Sequence, residues 1–307
     1  MNFNVIGIGE VLWDLLQTGP QMGGAPANFA YHAHALGAKS QVITRIGNDE
    51  LGREIICRFQ EMALPNDNVQ VDAAAPTGTA KVNLSGDGLA HFTIHDNVAW
   101  DYLAATPEAL AAARQADAIC FGSLAQRSQT SRNTIQQLVA AAPAQALRVF
   151  DINLRQHYYS CDLIERSLHL ANVLKLNDDE LPILAEMFDL TGSAAQQHQI
   201  EQLALSFNLR VVALTRGQRG SLLYQDGRWS DCTSRSVEVV DTVGAGDSFT
   251  AALVLGLLQE MDLDGINRLA NEVARYVCSQ AGATPRMPQE FAETFRTARS
   301  GLPRRNL

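Results

Sequence analysis

Six short, nearly unbroken apolar or β-branched runs, "NVIGIG", "SQVITRIG", "ADAICFGS", "LRVFDIN", "NVLKLN" and "RVVALTRG", alternate along the chain with segments of helical period. A strand that is apolar on both faces has to be covered on both, and helices placed between such strands supply the cover. The pattern therefore predicts an α/β fold, doubly wound on a mainly parallel sheet. The helical segments include "ELGREIICRFQEMA", "QIEQLALSFN" and "TPEALAAARQA", where Thr106 is placed as a cap and Pro107 in the first turn. No internal repeat, low-complexity tract or linker interrupts the order. Residues 1–307 are read as a single domain whose tail, "RSGLPRRNL", frays.

The rhythm breaks once. From Thr77 to His95, "TGTAKVNLSGDGLAHFTIH" reads as two alternating strands around an "SGDG" turn, with no helix attached. Such a hairpin cannot cover itself on both sides, so it is expected to project from the main sheet as a flap. A second hairpin, "GSLLYQDGRWS", is expected as an edge of the main sheet.

Charge and composition remove several function classes. A chain that is 46% hydrophobic and 19% charged can build one large core, with or without an appended subdomain. Its net charge of −9 leaves no basic stripe to release counterions from nucleic acid or to hold an anionic membrane, so neither is expected as a partner. The opening "MNFNVIGIGEVLWDLL" carries acids and glycines where a signal peptide needs a basic head and a clean apolar run. No later stretch reaches roughly 18 uninterrupted apolar residues, and a cytoplasmic protein is the expectation. Cys57, Cys120, Cys161, Cys232 and Cys278 form no C-x-x-C pair and are read as reduced, mostly buried thiols.

The segment with most chemistry in it is "DTVGAGDSF", Asp241 to Phe249. It follows the β-branched "SVEVV", taken as a strand, and precedes the apolar "TAALVLGLL", taken as a helix. Small residues at such a junction let successive N–H groups of Gly244, Ala245 and Gly246 point into one concavity, where the positive end of the helix adds to the field. That is a seat for an anion. Two readings of Asp247 are open from the turn itself: it complements the helix dipole behind a tight turn, or it is a base. The helix "SFTAALVLGLLQ" is apolar on nearly every side, so its first turn points into a place shielded by the fold. An ionised carboxylate there can accept the proton of an attacking hydroxyl, which is what phosphoryl transfer asks of a protein. His32 and His34 lie at i and i+2 of another helix, on different faces, and are read as structural.

"DTVGAGDSF" and "GGAPANFAYHAHALGA" together resemble the two signatures of the ribokinase-like (PfkB) carbohydrate kinases, and "DINLRQHYYS" and "FTIHDNVAWDYL" are similar to stretches of bacterial fructokinases in that family. The similarity covers nearly the whole chain. "GIGEVL" at Gly7 lacks the third glycine of a dinucleotide fingerprint, and no G-x-x-x-x-G-K-[ST] is present. The resemblance implies ATP and Mg²⁺ as cofactors, Asp247 as catalytic base, and Gly244, Ala245 and Gly246 as the anion hole for the γ-phosphate. It implies that Asp14, in "GE-x-x-x-D", binds sugar hydroxyls, that Gly23 and Gly24 let the sugar approach the backbone, and that Asn28 offers it an amide. Asn153 fixes a loop or touches the sugar. Arg155 is placed near the transferred phosphate or the distal end of the sugar. "NDDE" suits a helix start in its own right, as a cap followed by carboxylates; the resemblance gives Asn177 and Glu180 the organisation of Mg²⁺ and phosphates through water. Thr215, Arg216, Gly217 and Gly220 would line the nucleotide phosphates and ribose, and Asn271 would border the adenine.

The sequence also departs from the family. Eight residues separate Asp14 from Gly23, so the lid, drawn from about 12–24 and 77–100, is expected to rest mainly on the later hairpin and to be small. Its outer face could pair two subunits into a homodimer. A monovalent cation (K⁺) beside Asp241 is opposed by Arg286, which stands where cation-dependent relatives have a small residue. The leading function is ATP-dependent phosphorylation of a small sugar, fructose before others. The alternatives are a 2-keto-3-deoxygluconate or nucleoside kinase on the same fold, and a catalytically silent sugar-binding regulator.

Overall fold

A computed structural model of the chain describes residues 3–298, apart from 17–18, 85–89, 191, 193–194 and 234–236. The expected "SGDG" turn and the C-terminal tail lie outside the described residues. In chain order the elements begin with β1 (Asn4–Ile8), β2 (Leu12–Leu16), β3 (Gly19–Gly23), α1 (Ala25–Ala35), β4 (Lys39–Gly47), α2 (Glu50–Glu61), β5 (Val69–Asp72), β6 (Gly78–Leu84) and β7 (Ala90–Ile94). They continue with α3 (Pro107–Ala113), β8 (Ala118–Phe121), α4 (Gln129–Ala141), β9 (Leu147–Asp151), α5 (Cys161–Leu170), β10 (Val173–Asn177), α6 (Glu180–Met187), α7 (Gln196–Phe207) and β11 (Val211–Thr215). The last are β12 (Ser221–Gln225), β13 (Arg228–Cys232), α8 (Ala245–Leu258), α9 (Leu263–Cys278) and α10 (Gln289–Ala298).

The six apolar runs all form strands, and they lie in one nine-stranded sheet of order β13-β12-β11-β10-β9-β8-β1-β4-β5 among the described residues. Pairing is parallel from β11 through to β5, and the hairpin β12–β13 closes one edge antiparallel. Alternate residues of each strand feed two cores. Ile119, Phe150, Leu174 and Val212 pack with Leu138, Leu163, Leu184 and Leu203 of α4 to α7. Val5, Val149, Val173 and Val211 pack on the other side with Phe29 of α1, Leu253 of α8 and Val273 of α9. The doubly wound α/β expectation is met. Thr106 caps α3 as read, its hydroxyl accepting the N–H of Ala109 at 3.1 Å.

Helix α8 runs through the centre, and from Ser248 to Leu257 every residue is buried. Burying each of Phe249, Leu253, Val254 and Leu255 is worth about 1.5–3 kcal/mol, so the position of its N-terminus is fixed by the core. A second sheet, β3-β2-β6-β7, stands off the main one. Here the structure departs from expectation. This small sheet does not rest mainly on the later hairpin, because β2 and β3 form their own antiparallel pair and β2 runs parallel beside β6. The short stretch from Leu12 to Gly23 thus supplies two of the four described strands of that sheet. At its base, Arg127 stacks over Trp100 at 4.0 Å and Tyr158 at 4.7 Å and binds Asp101 through two bonds of 2.8 Å.

Two further expectations fail. The part of "SVEVV" that the structure describes is not a strand: residues 237–240 pair with no sheet, and the N–H groups of Val240 and Asp241 donate to the carbonyl of Cys278 at the end of α9. β-branching raised strand propensity there, but the loop takes its hydrogen bonds at the end of α9 and leaves Val237, Val239 and Val240 exposed. The cysteines are unpaired, yet among them only Cys120 is buried, while Cys57 and Cys161 are exposed on α2 and at the start of α5. Among the described residues, no helix is long and apolar enough to cross a membrane.

Candidate active site

The parallel strands deliver their C-terminal ends to one edge of the sheet, where open α/β folds bind ligands. A cavity of about 1010 Å³ lies there, between Asp14, Ala80 and Ile94 of the second sheet, the loops after β9, β10 and β11, and the first turn of α8.

Gly244 opens α8 in the left-handed region, at φ 79°, and a Cβ on it would lie 2.3 Å from the carbonyl oxygen of Ala283. Only glycine fits both demands. The N–H groups of Gly246 and Asp247 belong to the first helical turn, which has no intrahelical acceptors, and both residues line the cavity. Ala245 differs, since its N–H turns back to the carbonyl of Thr242 at 3.3 Å. The carbonyl of Ala283 also takes Nε2 of buried His32 at 2.9 Å, which ties α1 to the anion turn. Burial pushes the His32 pKa down to about 4, so the ring is a neutral donor, as its structural reading requires.

Asp247 faces the cavity, and its Oδ2 accepts a hydrogen bond from Nδ2 of Asn28 at 2.8 Å. Loss of solvent, then the neighbouring Asp151, raise its pKa to about 6; the Asn28 bond, Lys175 and Arg155 pull against them. A carboxylate so placed is ionised at neutral pH and poised to take a proton. Asn28 is buried, and its Oδ1 has no protein partner. Asp14 crosses from β2 so that its Oδ2 sits 2.8 Å from where a Cβ of Gly23 would be, and desolvation raises its pKa. Gly24, Asn153 and the exposed Arg155 complete this end of the cavity. Asn153 reaches its place through a left-handed φ of 42°.

The opposite end holds the residues assigned to the nucleotide. Oδ1 of Asn177 accepts the N–H groups of Asp179 and Glu180, both at 2.9 Å, so it caps α6 as its sequence suggests. Glu180 is buried, and its two oxygens accept the N–H groups of Leu154 and Asn177 at 2.8 Å. It is absent from the cavity wall and braces the two loops around the site. Thr215, Gly217, Gly220 and Asn271 line the cavity. Asn271 is held by the hydroxyl of Ser221 at 2.6 Å. Arg216 is not brought in, because it pairs with Asp231 of β13 and is not part of the wall. Asp241 accepts the N–H groups of Val243 at 3.0 Å and Gly282 at 3.1 Å, linking the two segments that flank the turn. Among the described residues, no group of three or more His, Cys, Asp or Glu side chains could hold a metal ion.

Three residues that sequence reasoning passed over belong to the site. Glu10, between β1 and β2, is 2% exposed and lines the cavity, with Oε2 unpartnered. Burial raises its pKa to about 7, against hydrogen bonds from backbone N–H groups and opposed charge from Arg155. Lys175 and Asp151, in the middle of β10 and at the end of β9, form a buried ion pair of 3.0 Å, and Lys175 reaches the cavity wall. The signals were present. A charge inside an apolar strand that is covered on both faces needs a partner or a ligand.

Residues 10–290 match the model of the pfkB family carbohydrate kinases. Over 287 residues the chain is 31% identical to a fructokinase of Klebsiella pneumoniae, covering 89% of this chain and 91% of that one. A fructokinase of Solanum tuberosum is 29% identical over 277 residues, covering 87% and 83%. The crystal structure of an uncharacterized sugar kinase from Pyrococcus horikoshii in complex with ATP superposes with a TM-score of 0.77 at 27% identity, covering 91% of this chain and 94% of that one.

Proposed function

Because the chain belongs to the pfkB family of carbohydrate kinases and is an ATP-dependent sugar kinase, we propose that it phosphorylates fructose, with Asp247 as the general base. The observation that carries this reading is one carboxylate of raised pKa, hydrogen-bonded to Asn28, at the mouth of an anion-binding turn. The sugar hydroxyl oxygen bonds to the γ-phosphorus as its proton passes to Asp247. The bond from that phosphorus to the β,γ-bridging oxygen breaks, and its electron pair leaves with ADP. First-turn N–H groups of α8 hold the γ-oxygens throughout.

The acidic lining of the sugar end supports a neutral substrate. Glu10, Asp14 and Asp247 face it, with Arg155 and, beneath Asp247, Lys175 as cationic neighbours. A sugar acid would add a fourth carboxylate, whereas vicinal hydroxyls can donate to the ones present. Magnesium enters as part of the substrate MgATP, held by phosphates and water, with Asn177 and Glu180, whose oxygens accept backbone N–H groups and keep further lone pairs, organising it through water. The bridging role of Asp241 supports a structural duty there in preference to K⁺ binding. Unpaired cysteines fit the cytoplasm. Among the described residues the lid edges β3 and β7 carry no further strand, and a homodimer formed through the lid fits them.

A coupled ADP-release assay over fructose, other hexoses, 2-keto-3-deoxygluconate and nucleosides tests the reading. Fructose should give the highest kcat/KM. Faster turnover of 2-keto-3-deoxygluconate would transfer the assignment to the sugar acid, and no turnover of any of them would leave the silent binder.

A further inference from the structure

Lys175 is the one cavity-lining lysine among the described residues, and it rises from inside a strand, with its side chain 7% exposed. Its register places it on the same face of β10 as Val173 and Asn177, under the start of α8. Nζ donates to Oδ1 of Asp151 at 3.0 Å, and the other oxygen of Asp151 accepts the hydroxyl of Thr250 in α8 at 2.9 Å. A Cβ on Gly246 would lie 3.0 Å from Nζ, so the ammonium touches the underside of the anion turn. Glycine at 246 is what leaves it that room.

An ammonium carries three donors, and Asp151 takes one. The carboxylates of Asp151, Glu180 and Asp247 hold its pKa above the ordinary lysine value against the effect of burial. A fixed cation beside the positive end of a helix is repelled by it, and an anion seated between the two relieves both. A purely structural pair would be served as well by apolar side chains of the same volume, and it would not need to reach a cavity.

We propose that Lys175 is a catalytic residue of the phosphoryl transfer, its ammonium donating a hydrogen bond to a non-bridging γ-oxygen while the sugar oxygen bonds to phosphorus and the bond to the β,γ-bridging oxygen breaks. The inference rests on the sugar-kinase reading. Lys175 keeps its protons throughout; the hydroxyl proton goes to Asp247 and the electron pair to ADP. Exposed Arg155 and buried Lys175 both line the cavity, so the transferring group meets two cations.

The test compares wild type, Lys175→Met and the paired Lys175→Met/Asp151→Asn, which removes both buried charges and carries the test if the single variant does not fold. Circular dichroism melting establishes folding, and kcat, KM and the dissociation constant for ATP are measured at pH 7 and pH 9. The charged groups facing this point are Asp151 from β9, Glu180 from α6, Asp247 from α8, Glu10 after β1 and Arg155 after β9. We expect kcat to fall by at least ~10²-fold in the folded variant, with ATP affinity changed by less than ~3-fold, and the deficit to persist at pH 9. Inhibition by ADP with aluminium fluoride, which mimics the transferring group, should weaken in parallel. Recovery of kcat at pH 9 would show that Lys175 only keeps Asp247 ionised, and an unchanged kcat would remove it from the chemistry; either overturns the proposal. If wild type itself turns over no sugar, the kinase reading fails instead.

Discussion

At the scale of single residues, the activity depends on where Asp247 takes up its proton. Its pKa, raised to about 6 by burial and by Asp151, means that the base is ionised above that value and lost below it. We expect kcat/KM to rise with pH through a midpoint near 6. Asp247→Asn should lower kcat by at least ~10²-fold while ATP and sugar affinities stay close to wild type; a near-normal kcat would end the assignment. Asn28 donates to the charged form of Asp247, so removing the donor favours the neutral form. Asn28→Leu should therefore move the acid limb to higher pH, read from initial rates between pH 5 and 9. An unmoved limb would mean that the 2.8 Å bond is broken when substrates bind.

At the scale of elements, the strands of the main sheet were legible because each is apolar on both faces, and only a covered parallel sheet has use for that. The valine run before α8 carried the same local signal and misled, since strand formation needs a neighbour and the loop at 237–240 bonds to the end of α9. Lys175 and Glu10 were visible as charges in apolar surroundings, but their roles depend on distances that only the folded sheet sets. The start of α8 at Gly244 could be read locally, from the small residues and the apolar run after them, but not that the N–H of Ala245 turns back to the carbonyl of Thr242. Both stretches of the second sheet, 12–24 and 77–100, could be picked out locally, but not their union: the parallel pairing of β2 with β6 joins residues 66 apart in sequence. Within it, Ala80 and Ile94 pack into the core beside Trp100, while Lys81 and Thr93 pair beyond them. Replacing 82–92 by an Asn-Gly turn keeps that root and removes the blade. We expect sugar KM to rise and ATP hydrolysis without sugar to increase, since a lid excludes water from the transferring group. Wild-type values for both would leave the blade with assembly alone, which sedimentation of the same sample would detect.

At the scale of the whole molecule, the acidic cavity sets a conflict between function and stability. Glu10 and Asp247 have folded pKa values of about 7 and about 6, both above their ordinary range, because a closing fold takes solvent from them. In the folded protein they gain protons as pH falls through 8 to 5, while in the unfolded chain they stay ionised to about pH 4.5. The folded state therefore binds more protons there and is favoured by acid. His32 works the other way: its folded pKa of about 4 keeps it neutral, while the unfolded chain protonates it below about 6.5. Between pH 8 and 6 the carboxyls outweigh the histidine, and the ligand-free protein should gain about 1 kcal/mol. Glu10→Gln removes the larger carboxyl contribution over that interval. We expect urea denaturation of the variant to show a flatter dependence on pH, with stability above wild type at pH 8 and the difference shrinking toward pH 6. If wild type and variant keep parallel curves over the whole interval, Glu10 is not the buried carboxyl that takes up the proton, and the cavity carries its charge at less expense to the fold than its burial implies.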